Sequence, residues 1–251
     1  MRLTLTVLAI VLIAGLTGCS DQPADQNGIS DEEQNTMTSE NQVLYYLGLI
    51  RRGATWTPEA NDAVMKIQEE HLANIERLAG EGLMVLAGPF YAETGDNDLR
   101  GIFLYDVETF EEARELADTD PAVKTGRLKV DIYPWIGAGE VLYDEPVQMT
   151  TYIAALFRRG AQWTDETTPS YEELLEQQAT AIATKCDSGA LVFGGMFGEI
   201  DDEGDFAAML IYRADSLTQV EETVSSASWV ANDVLDVEVI MWYGPEGLRW
   251  E

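Results

Sequence analysis

The segment LIRRGATWT at 49–57 returns as LFRRGAQWT at 156–164, an offset of 107 residues. The same offset carries Tyr45 onto Tyr152, Gly82 onto Gly189, Gly88 onto Gly195, Phe90 onto Phe197, Tyr105 onto Tyr212, Val123 onto Val230, and Trp135-x-Gly137 onto Trp242-x-Gly244. A register kept over so long a stretch is an internal repeat, and it constrains the fold more than composition does: whatever one unit builds, the chain builds twice. The units are expected at 43–137 and 150–245, with a linker at 138–149.

Each unit reads alike. An apolar run, Val43–Ile50, is a strand candidate. Thr57-Pro58 is expected to open a helix, Thr as N-cap and Pro at the first helical position. Val64, Ile67, His71, Ile75 and Leu78 recur at three- and four-residue spacing and share one helix face. Gly82 ends that helix. LMVLAGPF and GIFLYDV read as the second and third strands. Thr109-x-x-Glu112 is a capping box for a second helix, matched by Ser216-x-x-Gln219 in the later copy. Leu128, Val130 and Ile132 alternate as a fourth strand. The order βαββαβ is the ferredoxin-like split motif. The expected fold is α+β: two tandem ferredoxin-like units, sheet packed on sheet, forming within one chain a pseudo-dimeric α+β barrel that a homodimer would otherwise build.

The chain opens MRLTLTVLAIVLIAGLTGCS, one basic residue and then an apolar run too short to span a membrane. Leu16-Thr17-Gly18-Cys19 resembles the bacterial lipobox. That resemblance implies a signal peptide over 1–18, cleavage before Cys19 and lipidation of Cys19, so that the protein is held at a membrane without spanning it. Residues 19–42 hold six acids, no Lys or Arg and almost nothing apolar, the composition of a disordered tether. The expected location is the cell envelope, facing the periplasm or the exterior; Ser20 is not the Asp of an inner-membrane retention signal, which favours the outer membrane.

Acids outnumber bases 45 to 15 in the 251 residues. Without the tether's six acids and Arg2, the body still has 39 acids and 14 bases. Such a field repels phosphates and excludes nucleic acid as a partner. The expected partners are a small-molecule ligand and, through the lipid, a membrane. Cys186 has no second thiol once Cys19 is lipidated and reads as a buried structural residue. No Cys/His cluster has metal-site spacing and no Gly-rich loop carries a phosphate-binding Lys, so neither a metal nor another cofactor is expected.

The first unit resembles the YCII-related family of small dimeric α+β barrels. The resemblance is carried by His71-Leu72, Gly82, Gly88-Pro89-Phe90, the helix end ADTDPAV with Asp120-Pro121, then Gly126 and Pro134-Trp135. It implies an acid–base site made of His71 and Asp120. The residues alone leave other readings open. His71, the sole His, stands in an apolar stripe and is as readily a satisfied core residue. Asp120 is as readily the cap before Pro121. An Asp beside a His fixes its tautomer and favours its charged form, which is what a general acid–base needs.

The second copy departs from this pattern: His71 falls on Gln178, Asp120 on Ala227, Pro121 on Ser228 and Pro89 on Met196. Gln exchanges no proton at physiological pH, so a single working site is expected. Arg51-Arg52 and Arg158-Arg159 either bridge to nearby acids or anchor a substrate carboxylate. Trp56 either walls a pocket or caps the core, and Phe90 is the remaining weak substrate-contact candidate. Two functions compete: acid–base chemistry on a small organic molecule, or a non-catalytic lipoprotein that binds a ligand or protein. Fold alone does not separate them.

Overall fold

Six consecutive residues of β1 (Val43–Arg52), from Tyr45 to Ile50, are buried. A strand covered on one face alternates; one covered on both does not. The computed structural model describes residues 42–91, 98–137, 139–164, 173, 190–198 and 205–250. After β1 come α1 (Asp62–Gly80), β2 (Met84–Pro89), β3 (Leu99–Tyr105), α2 (Phe110–Asp118), the single turn α3 (Pro121–Lys124) and β4 (Leu128–Gly137). The second half gives β6 (Met149–Arg159), β7 (Ala190–Phe197), β8 (Phe206–Arg213), α4 (Leu217–Ser225), α5 (Ser228–Ala231) and β9 (Leu235–Pro245). Short strands β5 (Val141–Leu142) and β10 (Arg249–Trp250) pair with each other.

The main sheet is one eight-stranded antiparallel surface in the order β2-β3-β1-β4-β7-β8-β6-β9. Both halves show the ferredoxin-like strand order, and the described strands of the second repeat those of the first. Tyr46 lies opposite Tyr105 and, 107 residues on, Ile153 lies opposite Tyr212. The register breaks at Ile50/Arg51 and at Phe157/Arg158, and again at Met84/Leu86 and at Leu191/Phe193. Bulges conserved in place keep the local twist and side-chain aim the same in both halves.

The sheet curls around a shared core. Leu47, Leu49, Ile102 and Leu104 from the first half meet Ala154, Leu156, Met209 and Ile211, their counterparts at the same offset. Each outer face carries its own helices: Leu78, Ala113 and Ala117 cover one half, Val220 and Val224 the other. The halves share this core sheet against sheet, as expected of the α+β barrel. They also join edge to edge, which pairs strands otherwise left open. At one joint Trp135 pairs with Phe197; at the other Phe90 bridges to Trp242. A Cβ on Gly88 would strike Trp242 and the Tyr243 carbonyl, and one on Gly195 would strike Trp135 and the Ile136 carbonyl. Both joints therefore need glycine where the opposite half's tryptophan lies.

Three expectations are corrected. Helix α1 starts not at Thr57-Pro58 but at Asn61, whose Oδ1 accepts a hydrogen bond from the Val64 amide (3.0 Å). Residues 57–60 are exposed and precede the first apolar position of the stripe, so helix there would bury nothing. Residues 139–149 of the expected linker are part of the fold, as are residues 246–250. The Tyr45 hydroxyl accepts from Val141 N and the Tyr152 hydroxyl from Leu248 N, both at 3.3 Å, so each tail returns to a buried tyrosine. The full capping box forms on Thr109, whereas Ser216 makes only the forward bond to Gln219 N. No helix among the described residues is long and apolar enough to cross a membrane. Cys19, Gln178 and Cys186 lie outside the described residues.

Candidate functional site

Helix α1 buries His71, Asn74 and Leu78, with Val64, Ile67 and Ile75 half-buried beside them. The expected stripe thus faces the sheet, and it brings His71 to within 6.0 Å of the Phe103 ring, centroid to centroid. Asn74 was not anticipated; it bonds Arg77 (2.9 Å), which also holds Glu81 at the helix end.

Asp120 arrives from the other direction. The break between α2 and α3 leaves it extended before Pro121, as a helix N-cap must be. One carboxylate oxygen, Oδ1, accepts from Ala122 N (2.8 Å). The other, Oδ2, meets His71 Nδ1 at 2.7 Å. Cap and histidine partner, competing readings from sequence, are both true, one for each oxygen. The pair is well shielded, Asp120 at 1 % and His71 at 9 % exposure. With a carboxylate on Nδ1, the proton of the neutral ring belongs there, and Nε2 keeps its lone pair. Among the described residues Nε2 has no hydrogen-bond partner. Tyr105, two residues after Phe103 at the end of β3, has a buried hydroxyl with no partner among the described residues. Burial first, and then the Asp120 carboxylate, push that phenol well above its ordinary 10.0.

His71 lines a cavity of about 650 Å³. Its walls are α1 (Gln68, Leu72, Ile75, Glu76), all of β2, Ile50, Phe103, and the crossing segment with Tyr143, Val147 and Met149, closed by Pro245. The lining is mostly apolar, and Trp56, Arg100 and Arg127 add the cationic side.

Of the residues singled out from sequence, the fold brings His71, Asp120 and Trp56 to this place, with Arg52 stacked over the Trp56 ring at 4.0 Å. Arg51 and Phe90 belong elsewhere. Arg51 bonds Asp131 (3.0 Å) and lies over Phe206, because adjacent strand residues point to opposite faces. Phe90 is packed in the shared core at the joint with Trp242. Arg158 likewise pairs with Asp205 at 3.1 Å. Arg100 and Arg127 were missed; the available signal was that the offset converts them to Ala207 and Val234. In the second half Ala227 caps α5 without a side-chain bond. Among the described residues no group of three or more His, Cys, Asp or Glu could hold a metal ion.

Comparison with known proteins gives three findings. The family model of the YCII-related domain matches residues 51–136. The uncharacterized protein YjpA of Bacillus subtilis is 31 % identical over 74 residues, 28 % of this chain and 81 % of YjpA. Two mutant structures of chlorite dismutase from Candidatus Nitrospira defluvii share the fold: one at TM-score 0.51 and 9 % identity, covering 85 % of this chain and 95 % of that one, the other at 0.52 and 10 %, covering 82 % and 93 %. Identity this low speaks for fold alone.

Proposed function

The chain belongs to the YCII-related family through its first half, and on that premise we propose that His71 and Asp120 carry out acid–base chemistry on a small organic molecule, in that half only. The observation that carries the proposal is the buried 2.7 Å contact on Nδ1 at a ring that lines a cavity. Asp120 holds the Nδ1 proton and the ring's orientation. Nε2 removes a proton from the bound molecule, and Asp120 stabilises the imidazolium that results. Nε2 then returns the proton, to a neighbouring atom in an isomerisation or to the leaving group in an elimination; in a hydrolysis the proton is taken instead from a water whose oxygen attacks the bound molecule, and it is returned to the leaving group. The second half, with Ala227 for the aspartate and Gln178 for the histidine, has no means to do this.

The tautomer is the direct test. In a long-range proton–nitrogen NMR spectrum the single imidazole should show a protonated Nδ1 and a bare Nε2. Asp120→Asn should reverse this, since an amide N–H can donate to Nδ1. A library of small organic molecules in D₂O should contain some that take up deuterium with the wild type and not with His71→Gln. Binding without exchange would instead favour the non-catalytic module.

The envelope location belongs to the same proposal and is supported by sequence: Leu16-Thr17-Gly18-Cys19 and the acidic run after it. Cells fed labelled palmitate should label the protein, and Cys19→Ser should abolish the label and release the protein from membranes.

A further inference from the structure

Acids outnumber bases on this chain, and several arginines away from the cavity hold one. Arg51, Arg77, Arg158 and Arg249 each hold a carboxylate at 2.8–3.1 Å. Around Trp56 the cations gather on an aromatic ring instead. Three guanidinium groups converge on that one ring, Arg52 at 4.0 Å, Arg100 at 5.3 Å and Arg127 at 5.9 Å from its centroid. Among the described residues neither Arg52 nor Arg127 has a carboxylate partner; Arg127 donates to the Thr57 carbonyl (2.9 Å), and the Arg52 Nε is buried with no acceptor. The face of an indole offsets only part of their mutual repulsion. Trp56, Arg100 and Arg127 all line the cavity that His71 lines.

The second half supplies the contrast. There Arg159 lies over Trp163 at 5.2 Å, but Ala207 and Val234 replace the other two arginines. Arg100 and Arg127 thus accompany the His71–Asp120 pair, and their counterparts are apolar where the pair is replaced by Gln178 and Ala227.

We infer that the cavity is built for a small, largely apolar molecule bearing one carboxylate, whose carboxylate lies against Arg100 and Arg127 beside Trp56 while its apolar body reaches along β2 toward His71. This names a substrate class for the acid–base reading and rests on that reading. Guanidinium groups match carboxylate geometry and bind it with charge-assisted hydrogen bonds. A carboxylate fits better than a phosphate because the remaining lining is mostly apolar and includes no lysine. Glu76, on the exposed side of α1, also lines the cavity and disfavours a second negative charge on the ligand.

Three probes test this on the full chain: 3-phenylpropionate, its neutral amide, and phenyl phosphate, followed by calorimetry and by the shifts of the His71 ring nitrogens. The carboxylate should bind at least about tenfold more tightly than the amide and move the His71 signals. Arg100→Gln/Arg127→Gln should erase that preference while still binding the amide, which reports an intact cavity; Arg158→Gln should leave it unchanged. The wild-type comparison of acid with amide stands even if the double variant does not fold. An amide that binds as well as the acid overturns the inference, as does phenyl phosphate binding more tightly than the carboxylate. His71→Gln should keep the carboxylate preference while losing deuterium exchange. Loss of the preference with the Nδ1–H tautomer intact would sink this inference alone; the reverse would sink the acid–base reading alone.

Discussion

Asp120 does two jobs with two oxygens, and substitutions can separate them. Asp120→Ala removes a cap worth about 1 kcal/mol and leaves buried Nδ1 without an acceptor at about 1–3 kcal/mol. Chemical denaturation should therefore show a loss of about 2–4 kcal/mol. Asp120→Asn keeps an oxygen for Ala122 N, so its stability should fall far less, while proton transfer drops by roughly 10²–10⁴. Tyr105 gives a second prediction. Its folded-state pKa is raised, so its stabilising contribution is complete below pH 10.0, the unfolded value, and is lost as pH climbs above it. Phenolate absorbance from Tyr105 should appear only with alkaline unfolding, and Tyr105→Phe should move that unfolding to higher pH. At this scale the sequence was informative where chemistry is local or shared with relatives: His71 on its stripe, Asp120 before Pro121. Arg100 and Arg127 were not legible, because what matters about them is their meeting at Trp56, 44 and 71 positions away in the chain, and no local pattern encodes that.

Among the elements, the two joints are the most demanding. Gly88→Ala places a methyl group where Trp242 and a backbone carbonyl already are. A loss of about 1–3 kcal/mol is expected in a denaturant titration, and Gly195→Ala should match it by acting on Trp135. Coupling to Trp242→Phe, measured as a double-mutant cycle, should be large for Gly88 and near zero for Gly195. The strands and the Thr109 box could be read from period and capping chemistry. The start of α1 could not: Thr57-Pro58 is a sound local signal, but Asn61 lies next to the residues that have a sheet to pack against, and packing decides. Nor did the offset disclose that β5 and β10 belong to the fold, since two-residue strands have no periodicity to read.

For the molecule as a whole, charge opposes the ligand class inferred for the cavity. A body with 39 acids and 14 bases repels any anion until it reaches the arginines. Added salt shortens the range of that repulsion to about 10 Å at 0.1 M. Stopped-flow association of 3-phenylpropionate should therefore quicken with salt, whereas that of its amide should not change. The two joints carry a different consequence. Neither half has a finished perimeter: β2 and β4 in the first, β7 and β9 in the second, each depend on the other half. Made as separate chains, two catalytically competent halves would be free to close on one another. Covalent linkage gives the half with His71 a permanent companion in which Gln178 and Ala227 stand at the corresponding positions, and so fixes one histidine–aspartate pair for every two halves.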